Sequence, residues 1–166
     1  MNLFCFASRS LENIQRGVAA ERWAVSTVSD QQMRVRVTKA KRYFEPGSRG
    51  LLYCNPTHSF TVPFEVTSHA DPHSVVTDIW PEPWVLPFSI RPLGGPERQL
   101  HMNKARHRWP VLLERFGRGG VSAAMNITGT TVFTPVKITE EDWQLILLDL
   151  GGDNVARGEN TAASLR

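Results

Sequence analysis

Cysteine is scarce in this chain, two in 166 residues, and the placement of the two excludes the chemistry that cysteine usually announces. Cys5 and Cys54 stand far apart and neither belongs to a CxxC pair, so no zinc or dithiol redox motif is present. Each lies inside an apolar run, Leu3-Phe4-Cys5-Phe6 and Leu51-Leu52-Tyr53-Cys54, as expected of small buried hydrophobes in a reducing compartment. Long hydrophobic runs are missing as well. Nothing approaches the roughly 20 apolar residues of a membrane span, and the apolar stretch within Met1 to Arg9 is too short for a signal peptide. A soluble cytoplasmic protein with no membrane partner is expected. Catalytic signatures are also lacking: no Ser-His-Asp or paired-carboxylate pattern occurs. The densest histidine cluster, His69-x-Asp71-x-His73 with His58 upstream, has no fourth ligand at metal-binding spacing and fits exposed loop residues; neither metal nor cofactor is expected.

What the chain does have is enough apolar content, 41%, for one substantial core, and a net charge of +3 that is unevenly spread. Arg34, Arg36, Lys39, Lys41, Arg42 and Arg49 crowd one segment, and Arg98, Lys104, Arg106, Arg108, Arg115 and Arg118 another. Two basic blocks on a small domain match the footprint of a phosphate-binding surface, although a charge run is also what a solvated face looks like. Tryptophan stands out more. Trp23 follows Arg22, and Trp80 and Trp84 flank Pro81-Glu82-Pro83. Such contexts suit aromatic faces offered to a ligand, while any one of these indoles would equally plug a core.

Apolar periodicity gives a strand over Asn2 to Ala7, then a helix opened by Ser10 and closing near Gly17. Trp23 to Thr27 is extended; Asp30 to Tyr43 is ambiguous between strand and helix. Gly50 to Asn55 and Ser59 to Thr67 form an antiparallel hairpin, with Pro63 at an edge or a bulge. Ser68 to Pro83 is a loop, and Trp84 to Leu93 a strand. A basic, mostly helical stretch follows Gly94-Gly95-Pro96. Thr130 to Ile138 is the last strand, and Thr139 caps a final helix whose apolar face is Trp143, Ile146, Leu147 and Leu150. These elements form one α+β domain over residues 1–150, with a curved, mostly antiparallel sheet or small barrel. Residues 151–166 are small and polar, as in a disordered tail. Oligomeric state is not legible.

The order of strand, Ser-initiated helix, Trp-Ala-x-Ser-Thr, hairpin, Trp loop, strand and terminal helix resembles the YTH and EVE domains of the PUA-like superfamily. The resemblance spans Asn2 to Leu150. It implies a small β-barrel flanked by helices that binds, without altering it, a modified base flipped out of DNA or RNA into an aromatic cage. Trp23 and Trp80 fall at the family's two cage positions, and Trp84 is either a third wall or the first inward residue of the strand. Ser8 and Ser10 fall at the pocket rim and Ser26 beside the first Trp, while Arg9, Arg34, Arg36, Lys39 and Lys41 are the phosphate contacts expected on the Trp23 side. Where YTH domains carry Lys-Ser-Asn-Asn, this chain has Ala7-Ser8-Arg9-Ser10, without the base-reading Asn. Nor does Asn126-Ile127-Thr128-Gly129 supply the family's basic residue for phosphate. Both departures favour the EVE-like branch.

The physics of such a cage stands on its own. Base flipping costs a few kcal/mol, each aromatic contact returns about 1–3 kcal/mol, and an added methyl contributes about 0.8 kcal/mol on burial. Two rival readings use the same residues: an enzyme acting on a modified nucleoside, and a module whose aromatic groove takes a peptide. A steep fall of affinity with salt would separate nucleic acid from peptide.

Overall fold

The computed structural model describes residues 1–115, 120–127 and 129–152. Its elements are β1 (Asn2–Ser8), α1 (Leu11–Ala20), β2 (Arg22–Ser26), α2 (Asp30–Tyr43), β3 (Arg49–Cys54), β4 (Ser59–Val66) and β5 (Val75–Val76). Then follow β6 (Trp84–Pro92), β7 (Gln99–His101), α3 (Met102–Arg108), α4 (Pro110–Arg115), α5 (Gly120–Met125), a 3-10 turn at Gly129–Thr131, β8 (Val136–Lys137) and α6 (Glu140–Leu150). The strands make one mixed sheet in the order β2-β6-β4-β3-β1-β8, with β5 beside β6 and β7 beside β4. The sheet curls as a half-barrel, and the architecture is α+β.

Alternation along the central strands explains why both faces are covered. Phe4 and Phe6 of β1 point to one core with Phe44, Leu52, Phe64, Phe88 and Trp23, under α1 and α2. Their neighbours Leu3 and Cys5 point to the other, with Leu51, Tyr53, Trp109, Trp143 and Ile146, under the C-terminal helices. In β4 the alternation breaks. The register shifts between Leu51 and Leu52, where β4 carries an extra residue at Val62, held at φ 47° and followed by Pro63. The bulge sends Phe60 to the second core and Phe64 to the first, and gives Pro63 the bulge position expected of it.

β1 and β3 pair in parallel from Leu3↔Arg49 to Ser8↔Cys54, so the chain between them must cross over. That crossover is α1, β2 and α2, and it builds about half of the candidate site.

Three local expectations change. α1 runs one turn past Gly17 and ends at Ala20, with Glu21 in the left-handed region at φ 53°. Asp30–Tyr43 is a helix, capped by the Ser29 side chain. The strand expected over Thr130 to Ile138 shrinks to Val136–Lys137, because Val132 and Phe133 turn inward to fill the first core. α6 is as expected: Thr139 and Asp142 form a capping box, and Trp143 is buried. Of the expected tail, Gly151 and Gly152 are tied by their N–H groups to the carbonyls of Leu147 and Leu93. The rest of it lies outside the described residues, as does Arg118.

Candidate nucleic-acid interface

A cavity of about 490 Å³ opens where β1 meets the crossover. Its apolar wall includes Trp23, Trp84 and Val132, and its polar lining includes Ser8, Arg9, Asn13, Ser26, Asn55 and Arg36. The volume falls within the roughly 300–1,000 Å³ typical of small-molecule sites.

Each wall has a local cause. At the end of β1 the Ser8 hydroxyl donates to the Ser10 carbonyl, and the Ser8 carbonyl accepts from the Asn55 N–H at 2.9 Å, which brings the β3–β4 turn to the rim. Ser10 Oγ then accepts from the Asn13 N–H and starts α1. Ser10 is therefore a cap and does not line the cavity. On β2, Trp23 pairs with Phe88 and Ser26 with Trp84, while the register between them shifts by one residue on β6, where Leu86 takes φ 54°. This bulge sits behind the wall that carries both lining indoles, a position where bulges commonly re-aim side chains.

The indoles are arranged differently from two facing plates. Trp23 and Trp84 meet edge to face, with centroids 5.3 Å apart at 74°, and form a corner. Trp80 is stacked on Trp84 at 4.2 Å and 14°, and it meets Trp23 at 5.7 Å and 79°. With these spacings no base fits between Trp23 and Trp80, the two residues expected at the cage positions. Trp80 does not line the cavity. It is 3% exposed, its Nε1 donates to the Asn13 carbonyl at 2.9 Å, and it backs Trp84 from behind.

The cations also separate. Arg9 is exposed and lines the cavity. On α2, Arg36 is 6% exposed and turned inward. Arg34 and Lys41 are seven residues apart on the solvent face, about 200° round the helix from Arg36. Of the cations expected on phosphate, Arg9 and Arg36 line the cavity, and Arg34 and Lys41 do not. Lys39 lies between the two faces and donates to the Thr130 carbonyl at 2.5 Å, fastening the Gly129–Thr131 turn whose Gly129 lines the cavity. Burial pushes the Arg36 guanidinium below its ordinary pKa.

Two amides were missed. Asn13 and Asn55 line the cavity, although the segment Ala7 to Ser10 holds no Asn. The signal for Asn13 lay in the helix cap: three residues beyond an N-cap serine, a side chain sits on the first turn, next to the strand end that carries Ser8. Among the described residues no group of His, Cys, Asp or Glu is placed to hold a metal ion, and no helix is long and apolar enough to cross a membrane. Within the expected histidine cluster, Asp71 accepts instead from the Ser74 hydroxyl and the His73 N–H.

No protein-family model matches the sequence, and no curated protein matches it. Solved structures do. The apo YTH domain of Toxoplasma CPSF4 superposes with a TM-score of 0.57 at 15% identity, over 93% of this chain and 90% of that one. The Mmi1 YTH domain superposes at 0.53 and 10% identity over 100% of both chains. The YTH domain of Zygosaccharomyces rouxii MRB1, solved with N6-methyladenosine RNA, aligns at 0.46 and 20% identity, over 66% of this chain and 65% of that one. From residue 2 to the end of α6, this chain has the fold of a YTH domain.

Proposed function

We propose that the chain is a non-catalytic reader of a modified nucleobase in RNA, with the base entering the cavity and its strand lying across the Arg9 rim. The observation that carries this reading is the corner of Trp23 and Trp84 facing a lining of Ser8, Asn13, Asn55 and Arg36. A flat base stacks on one indole and meets the edge of the other, while hydroxyl and amide groups hold its edge. A methyl group on the base fills space beside Val132 and gains about 0.8 kcal/mol. RNA is favoured over DNA by the likeness to YTH domains.

The test is a titration of paired RNA oligonucleotides, identical except for one modified base, against wild type and Trp84→Leu, with DNA versions as a further arm. Wild type should prefer one modified member of the panel. Trp84→Leu should lose most of that preference and keep a weak, salt-sensitive affinity. Equal affinity for every pair across a broad panel would defeat the reading. Trp84 serves better than Trp23 here, because truncating the more deeply buried Trp23 threatens the core itself.

A further inference from the structure

Arg36 is buried with most of its donors unspent. Its Nη1 donates to the Ser26 carbonyl at 3.3 Å, while its buried Nε has no partner. No carboxylate pairs with it among the described residues, and it lines the cavity. A buried guanidinium in this state calls for an acceptor, since an unpaired buried charge is costly and every one of its polar hydrogens is a donor. Two acceptors are available in a nucleotide: a phosphate oxygen and a base edge. Position favours the base. Arg36 is held against Ser26, the residue paired across the sheet with Trp84, so it lies alongside the indole corner, whereas the exposed cation of the lining is Arg9.

The same contact changes what the wall can read. The Ser26 carbonyl, an acceptor suited to the exocyclic amine of adenine or cytosine, already spends one of its two lone pairs on Arg36. Beside it the wall offers the remaining guanidinium donors. Guanidinium donors fit the adjacent O6 and N7 acceptors of a 6-oxopurine, whereas adenine sets an N6 amine, itself a donor, against them. Glu82, also in the lining, is an acceptor of the kind suited to the N1–H that a 6-oxopurine carries and adenine lacks.

We propose that Arg36 determines specificity by selecting a base with an acceptor edge, a 6-oxopurine of the guanine or hypoxanthine type, over amino bases. The proposal rests on the cavity being a nucleobase site. It is tested with short RNAs of identical adenosine flanks whose central residue is adenosine, N6-methyladenosine, inosine or guanosine, bound to wild type, Arg36→Gln, Arg36→Lys and Trp84→Leu. Wild type should bind the inosine and guanosine strands about tenfold or more tightly than the adenosine strand, the discrimination expected of one bidentate pair. Arg36→Gln should bring the strands to within about twofold of one another, and Arg36→Lys should restore only part of the difference. Thermal melting shows that each variant is folded, and the wild-type preference is a test that needs no variant. Absence of an oxo-over-amino preference in wild type, or its survival in Arg36→Gln, would overturn the inference while Trp84-dependent binding left the reader assignment standing. A uniform loss across all strands with a shallower salt slope would assign Arg36 to a phosphate and overturn it as well. Loss of any Trp84 dependence would instead remove the nucleobase site on which it rests.

Discussion

A Cβ on Gly17 would stand 2.7 Å from Cε3 of Trp23. The glycine in the middle of α1 costs about 1 kcal/mol of helix propensity, and the indentation it leaves is filled by the indole of β2. Gly17→Ala should recover that propensity and lose more to overpacking, about 1–3 kcal/mol, while pushing Trp23 out of the corner it makes with Trp84. A lower melting temperature with weakened RNA binding is expected. A melt at or above wild type with unchanged binding would show that the indole yields without consequence.

Trp80 and Trp84 differ in role although their rings are stacked. Trp84→Leu removes a lining face and should weaken binding about tenfold, in line with about 1–3 kcal/mol per aromatic-base contact. Trp80→Phe keeps an aromatic ring behind Trp84 but removes the indole's hydrogen bond to the Asn13 carbonyl, costing about 1 kcal/mol of stability with binding within about twofold of wild type. Parallel denaturation and titration of the two variants distinguish a wall from a support.

Long-range charge effects should follow the split of cations around the site. Arg9→Ala should make the dependence of log affinity on log salt shallower by about 0.7, one phosphate on a single strand. Arg34→Ala with Lys41→Ala, on the outer face of α2, should leave the slope unchanged. Titrations at several salt concentrations compare them, and a slope that responds to the outer pair instead would place the strand on the other side of the helix.

The sequence announced most elements through their ends and their periods. Ser10 and Thr139 cap the helices they were expected to cap, and Pro63 sits at a bulge. The segment Asp30 to Tyr43 was ambiguous because Met33, Val35 and Val37 alternate as a strand would, while Met33, Val37 and Ala40 also share a helical face. That ambiguity hid the inward turn of Arg36: a strand would set Arg34 and Arg36 on one face, and only the helix parts them. Trp80 and Trp84 were visible as a pair, but their mutual stacking depends on how the loop between them closes, which local sequence does not encode. Val132 and Phe133 looked like strand residues, yet both are buried in the first core outside the sheet, with Phe133 at φ 68°.

On the far side of the sheet, Asp142 does two jobs. Its Oδ2 accepts from the Thr139 N–H at 2.9 Å in the capping box, and its Oδ1 accepts from the Val111 N–H at 3.2 Å, tying α6 to the start of α4. Asp142→Ala leaves buried donors unmatched and should cost about 2–3 kcal/mol, against about 1 kcal/mol for Thr139→Ala. Urea denaturation compares the two. Equal losses would mean that the tie to α4 carries no weight.

Burial pushes the Cys5 thiol well above the usual range, with Arg115 opposing it weakly. The folded chain therefore keeps this proton where the unfolded chain releases it. The resulting stability is fully present below the unfolded thiol pKa of about 8.5 and is lost progressively as pH rises above it. Denaturation midpoints should fall between pH 8 and 10 in wild type and fall less in Cys5→Ala. An identical decline in both would exclude Cys5 as its source.

β1 and β3 pair in parallel, and about half of the cavity lining, from Ser8 to Arg36, comes from the crossover between them, which adds β2 to the end of the sheet on its way. The two anchoring strands hold their register through the backbone and through Leu3, Cys5, Leu51 and Tyr53 on the face away from the cavity. The polar lining side chains of the crossover, Asn13, Ser26 and Arg36, can therefore be exchanged with little effect on those anchors, whereas Ile14 and Trp23 share a core with Phe4 and Leu52. Such a segment behaves as a cassette: ligand preference is able to diverge by substitution within it while the frame that displays it stays the same.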